Sequence, residues 1–281
     1  MKEGRKLKNL DPINAVGVYI MPERNGASNQ FTATIDITET ERFIKEKRAE
    51  GMKGLGLMHI VLAAYVRTIA THPGVNRFIR GQKIYARNSI DMCLTIKKEF
   101  KLDAPEAVVK IIAQPSDTLE AIYTQTNKLV TENKKSDESN GTDAAAKFLK
   151  YIPGLLLKFV VWFLKFLDYF GLLPRALTNI SPFHGSMYIT NMGSLGIAPV
   201  FHHLYDFGNL PLFCSIGSKR TEYKLNADGT VKKERLIDLT VVCDERICDG
   251  HYYASAFKTW KKHIENPSPL NYAPEKIIVD N

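Results

Sequence analysis

The chain has 281 residues, 44% of them hydrophobic and 24% charged, an ordinary balance for a globular protein. That composition excludes a mostly disordered chain, a collagen-like repeat and a small disulfide scaffold, and the length suits one or two domains, or one larger α/β unit with a full core. The net charge of +8 bears on solubility and partners, not on fold. No nucleic-acid partner is expected, because the chain carries no RNP-type run, no Cys/His finger and no basic stripe interleaved with aromatics.

From the N-terminus, Met1 to Asn9 is charged and lacks an apolar signal core, so no secretory signal is expected and a cytoplasmic setting is. Phe31, Ala33, Ile35 and Ile37 alternate with polar residues, the period of a half-buried strand. Thr38 and Glu41 then read as a capping box opening a helix to about Ala49. Leu57, Ile60, Val61, Ala64, Tyr65, Thr68 and Ile69 fall at helical spacing, stopped by His72-Pro73-Gly74. Strands are predicted over Ile90 to Ile96 and Ala107 to Ala113, and a third helix over Leu119 to Val130.

Thr131 to Thr142 is nearly free of apolar residues and reads as a mobile loop. Ile152 to Leu173 is its opposite, dominated by Leu, Phe, Val and Trp162. Its only charges are Lys158, Lys165 and Asp168, which share one narrow helical face. The readings are an interfacial amphipathic helix, a helix at a subunit or domain contact, or a membrane span, which the charges disfavour. Residues 131–180 are thus expected to be an insertion, polar loop plus apolar helix, in a single domain spanning 1–281.

Strand character returns at Met187 to Thr190, Leu212 to Ile216 and Ile237 to Cys243, with a hairpin-type turn at Asn226 to Gly229. Tyr252, Tyr253, Ala256, Phe257, Trp260 and Ile264 mark the last helix as a core-packing stripe. The mixed order predicts an α/β sandwich with one large mixed sheet and flanking helices. Cys93, Cys214 and Cys243 sit in apolar or alternating runs and read as buried free thiols. With Cys248 they form no C-x-x-C pair and no metal-ligand spacing, so no metal is expected, and His202-His203 indicates no third ligand. Lys97-Lys98 and Lys232-Lys233 read as solvated faces.

Two stretches carry chemistry. Asp244-Glu245-Arg246-Ile247-Cys248-Asp249-Gly250 joins the last long strand to the last helix, where carboxylates can be held rigidly near outward-pointing amides. Ile189-Thr190-Asn191-Met192-Gly193-Ser194-Leu195-Gly196 runs from a strand into a glycine-containing loop that could let backbone approach a ligand. Together they resemble the catalytic domain of the 2-oxoacid dehydrogenase dihydrolipoyl acyltransferases and, more distantly, chloramphenicol acetyltransferase. That family carries D-H-R-V-x-D-G-A near its C-terminus and T-I-S-N-x-G-x-x-G upstream. His72-Pro73-Gly74-Val75-Asn76 also looks like its H-P-x-V-N.

The resemblance implies a chloramphenicol acetyltransferase-like two-layer sandwich, a homotrimer with its active site between subunits, and acyl transfer from a coenzyme A thioester to a thiol, hydroxyl or amine. No tightly bound cofactor is implied. Thr190 matches the hydroxyl that steadies the oxyanion and Asp249 the orienting aspartate, while Asn191, Gly193, Gly196, Arg246 and Gly250 match positions around the substrate. The family's histidine base is replaced by Glu245. Three readings follow: Glu245 serves as the base itself, a nearby histidine (His251, His202 or His203) substitutes, or catalysis is lost and a trimeric binding or scaffold protein remains, with a membrane-surface contact through 152–173 as one such role. Neither a lipoyl domain nor a subunit-binding domain is read in the chain, so a conventional complex subunit is not expected.

Overall fold

A computed structural model describes residues 3–97, 106–135 and 150–280. Its frame is a seven-stranded mixed sheet built from β2 (Ser28–Asp36), β5 (Ile90–Lys97), β6 (Glu106–Ala113), β7 (Met187–Asn191), β8 (Leu212–Ile216), β9 (Arg220–Leu225) and β10 (Val231–Asp244). The order is β2-β10-β8-β7-β5-β6, with β9 paired to the first half of β10. Only β5·β7 and β7·β8 run parallel. The 14 residues of β10 first form a hairpin with β9, through the Asn226–Gly229 turn, and then run between β2 and β8.

The main core fills one face of this sheet. There Ile35, Met92, Leu94, Ile189, Cys214, Leu239 and Val241 meet α2 (Thr38–Ala49), α3 (Leu57–Thr71), α4 (Leu119–Lys135) and α7 (Gly250–Glu265). Alternation along each strand turns Cys93, Tyr188, Phe213 and Val242 to the other face, where Leu204 and Leu210 cover them. The two-layer α/β sandwich expected from the sequence is therefore present. The aromatic stripe of α7 is core, with Trp260 buried and its indole N–H donating to the Val61 carbonyl at 3.0 Å.

The H-P-G-V-N stretch has a mechanical role. His72 Nε2 lies 3.0 Å from Ser255 Oγ, the Gly74 N–H donates to the Tyr252 hydroxyl at 2.9 Å, and Asn76 donates to the Ser89 carbonyl at 3.0 Å. A Cβ on Gly74 would stand 2.7 Å from the Tyr252 ring. The stretch thus clamps the end of α3 to the start of α7.

A small antiparallel sheet, β1 (Gly4–Lys6), β4 (Lys83–Arg87) and β3 (Arg77–Arg80), packs under α1 (Pro12–Ile20) through Leu7, Val18, Ile84 and Ala86. The sequence reading did not anticipate it, since these strands are short and mostly polar. Two further expectations are corrected. Thr131 to Lys135 continue α4 as its last turns rather than starting a loop; residues 136–142 and Lys98 lie outside the described residues. Thr38 is not capped through Glu41: Asp36 accepts both the Thr38 N–H and its hydroxyl, and Glu41 pairs with Lys219 and Arg235. A carboxylate two residues upstream satisfies the amide directly.

Within the 150–180 segment, α5 (Gly154–Tyr169) begins at Pro153, and α6 (Arg175–Ile180) follows after Gly171, whose φ is +69°. Tyr169 anchors α5 on the β3–β4 turn, its hydroxyl donating to Gln82 at 3.0 Å. Among the described residues no helix is long and apolar enough to cross a membrane.

Candidate active site

Thr190 stands near the end of β7, half-buried, with its hydroxyl 3.7 Å from the Met192 sulfur. The turn beyond it is self-organised. Asn191 Oδ1 accepts the Ser194 N–H at 3.2 Å, and the Ser194 hydroxyl donates to the Asn191 carbonyl at 2.7 Å. A Cβ on Gly193 would sit 2.4 Å from the Gly217 carbonyl oxygen, so this glycine permits an approach of chain to chain. Gly196 takes φ +75°, closing the turn where a side chain would be strained.

Thr190 lines a cavity of about 640 Å³ together with Tyr188, Met192, Leu195, His202 and Phe213, a mostly apolar wall. The ring of His202 stacks on Phe213, with centroids 3.9 Å apart and planes within 2°. His202 Nδ1 lies 3.1 Å from the His203 carbonyl oxygen. A carbonyl only accepts, so Nδ1 is the donor in this contact. Sequence reasoning weighed His202 only as a neighbour of the loop; its stacking partner comes from β8, which no local pattern reveals.

The second cluster lies where β10 enters α7. Asp244 ends β10 buried, and in the turn that follows Glu245 is exposed while Arg246 is buried. Arg246 grips Asp244 with two bonds of 2.8 Å and donates to the carbonyls of Met21 and Pro22 at 2.9 and 3.0 Å. Arg24 approaches the same carboxylate at 3.7 Å. Burial lowers the pKa of Arg24 and Asp244 opposes that effect. Arg246, matched to a substrate position by resemblance, thus has internal partners and fixes the loop, although one edge of it also lines a separate cavity of about 290 Å³ with Arg24, Arg80, Lys165 and Asp168. Glu245 is exposed, its N–H donating to the Ala27 carbonyl at 2.9 Å. Asp249 caps α7, its carboxylate accepting the Tyr252 N–H at 2.8 Å. Gly250 and His251 follow on the exposed first turn.

One chain does not bring the two clusters together. Thr190 is level with Ser215 on β8, and Ser215 is level with Thr240 on β10. Glu245 is five residues further along, roughly 16 Å at strand rise.

No thiol offers a nucleophile. All four cysteines are buried and free, and burial pushes Cys93 up to about 11 and Cys243 to about 12, with Cys214 and Cys248 also raised. A buried thiol in apolar surroundings is inert. Among the described residues no group of three or more His, Cys, Asp or Glu could hold a metal ion.

Both clusters fall inside one recognisable segment. Residues 178–271 match the family model of the 2-oxoacid dehydrogenases acyltransferase (catalytic domain). The resemblance read from the motifs holds for that segment, and the fold likeness extends along nearly the whole chain. The dihydrolipoamide acetyltransferase of Azotobacter vinelandii superposes with a TM-score of 0.61 at 12% identity, covering 94% of each chain. The cubic core of the pyruvate dehydrogenase multienzyme complex gives 0.60 at 12%, again covering 94% of each. Chloramphenicol acetyltransferase gives 0.55 at 11%, covering 94% of this chain and 100% of that one. At such identities these likenesses establish the fold. No curated protein matches the chain by sequence.

Proposed function

We propose that the protein transfers an acyl group from a coenzyme A thioester to a small thiol, hydroxyl or amine, at a site completed by a neighbouring copy, in a cytoplasmic setting. The observation that carries this reading is Thr190 on the wall of the 640 Å³ cavity, at the position that the motif resemblance matches to the family's oxyanion donor. The assembled core among the structural neighbours supports a symmetric oligomer, for which a homotrimer is the form the resemblance implies.

The acceptor X–H attacks the thioester carbonyl while Glu245 of the neighbouring copy takes its proton. The Thr190 hydroxyl donates to the oxyanion of the tetrahedral intermediate. Collapse breaks the carbon–sulfur bond, and the departing coenzyme A sulfur takes the proton back from Glu245. A carboxylate works well in this role when water is excluded from it, which the neighbouring subunit would supply. Asp249, fixed as the cap of α7, holds the turn that presents Glu245. No coenzyme is held between turnovers.

A second reading has its own observation: His202 lines the same cavity as Thr190, which places a base beside the hydroxyl without a second copy. Release of free coenzyme A thiol from a panel of acyl-coenzyme A substrates tests both. Thr190→Ala should reduce turnover by about 10²–10³-fold. Loss in Glu245→Gln with retention in His202→Gln supports the two-copy site; the reverse assigns the proton to His202. Neither turnover nor coenzyme A binding would leave a scaffold of the same fold.

A further inference from the structure

The outer face of α5 is an exposed apolar surface that the proposed chemistry leaves unused. Leu157, Val160, Leu164 and Leu167 turn toward the protein and are half-buried, while Leu155, Leu156, Phe159, Trp162, Phe163 and Phe166 are exposed, Leu155 at 88% and Trp162 at 57%. At 100° per residue the exposed set covers an arc of roughly 100–140°. Its rings support one another: Phe159–Trp162, Phe159–Phe163, Trp162–Phe166 and Phe163–Phe166 have centroids 5.7, 6.4, 5.9 and 6.5 Å apart. Lys158 and Lys165, one heptad apart, are exposed along one edge of the arc.

We propose that α5 docks the protein in the plane of an anionic lipid bilayer, with this aromatic face among the acyl chains and Lys158 and Lys165 at the headgroups. Two observations favour lipid over a second copy of the chain. First, the face is convex and nearly without hydrogen-bonding groups, whereas protein interfaces carry about one bond per 100–200 Å². Second, the flanking lysines and the net charge of +8 complement anionic headgroups, and a tryptophan with an apolar body and a polar N–H suits that boundary. The helix is too short to span, at roughly 24 Å against a ~30 Å hydrocarbon core, so it lies on the surface. Its C-terminal end is held to the protein by Tyr169 on Gln82 and by Asp168, 3.3 Å from His184 Nε2, which leaves the outer face free to enter lipid. This docking does not depend on the acyl-transfer reading.

Flotation of the full chain with phosphatidylcholine vesicles, with and without phosphatidylglycerol, tests the proposal. Binding to the anionic vesicles should exceed binding to the neutral ones by on the order of tenfold. The chain has two tryptophans, and Trp260 is buried in the core. A vesicle-induced blue shift therefore reports Trp162, and Trp162→Phe should abolish it. Phe159→Ser/Trp162→Ser/Phe166→Ser should abolish flotation, and Lys158→Glu/Lys165→Glu should remove the anionic preference. If the triple variant does not fold, quenching of Trp162 by brominated lipid in the unsubstituted chain gives the same answer. No binding to anionic vesicles, or binding that survives the triple substitution, overturns the proposal. So does a fall in particle mass of the triple variant when the unsubstituted chain binds no vesicles, which would assign the face to a second copy.

Discussion

Thr190, near the end of β7, and Glu245, in the turn just past β10, stand at opposite ends of the same sheet, with β8 between the two strands. If they act on one substrate, each must come from a different copy. Mixing inactive Thr190→Ala with inactive Glu245→Gln subunits should then restore activity, because some interfaces would pair an intact hydroxyl with an intact carboxylate. Random mixing at equal amounts predicts recovery of about a quarter of the sites in a cyclic oligomer. Activity measured after co-refolding or co-expression checks this, and no recovery would confine the chemistry to one chain.

Asp244 and Arg246 form an ion pair with both side chains almost fully buried. Removing one partner strands a charge away from water, so Arg246→Met or Asp244→Asn should each destabilise the fold by ~3–5 kcal/mol. The double change Asp244→Leu/Arg246→Met should cost less than either, since no unpaired charge remains. Urea unfolding of the three variants gives the comparison. Equal loss in the double variant would mean that the carbonyls of Met21 and Pro22, left without their donor, dominate.

Strands and helices with regular apolar spacing were legible in the sequence: Phe31 to Ile37, Ile90 to Ile96, Ile237 to Cys243 and the α7 stripe all appear as periodicity predicts. The two chemical clusters were legible as motifs. Their separation was not, because it depends on which strands pair and in which register, and pairing partners lie far apart along the chain. Asp244 and Arg246 illustrate the same limit. The motif names them, but only the fold shows that Arg24, more than two hundred residues upstream, approaches the same carboxylate. The short strands around Arg77 to Arg87 left no apolar alternation strong enough to read. Thr38 and Glu41 matched a capping box by spacing, yet Asp36 was already within reach of the amide.

Gly193 faces the Gly217 carbonyl so closely that a methyl group cannot be added without moving backbone. Gly193→Ala should destabilise the chain by about 1–3 kcal/mol and displace the turn that follows Thr190. A thermal melt reads the first effect. Loss of turnover exceeding that of Gly196→Ala would read the second.

The four buried thiols should be silent in the native protein. Burial raises every one of them, and a thiol reagent attacks the thiolate. Ellman's reagent should therefore label none within minutes under native conditions and all four after denaturation. Rapid native labelling of even one would show a local opening that exposes it.

Acid should weaken the fold first through histidines. His59, His184 and His263 all have lowered pKa values, with burial the leading cause in each, and His263 is brought down to about 4. In His59, Nδ1 accepts the Gly56 N–H at 3.0 Å, so protonating that nitrogen also breaks the bond at the start of α3. Between the ordinary histidine value of about 6.5 and the depressed native one, the unfolded chain binds more protons than the folded chain, so stability is full above that window and falls as pH drops through it. Paired carboxylates such as Asp36, Glu41 and Asp238 also have lowered values and add their loss progressively below about pH 5. The melting temperature should therefore begin to decline near pH 6.5, above the range in which carboxylate protonation contributes. His263→Gln should flatten that decline, because it removes the most depressed of the three, and an unchanged slope in this variant would place the acid sensitivity elsewhere.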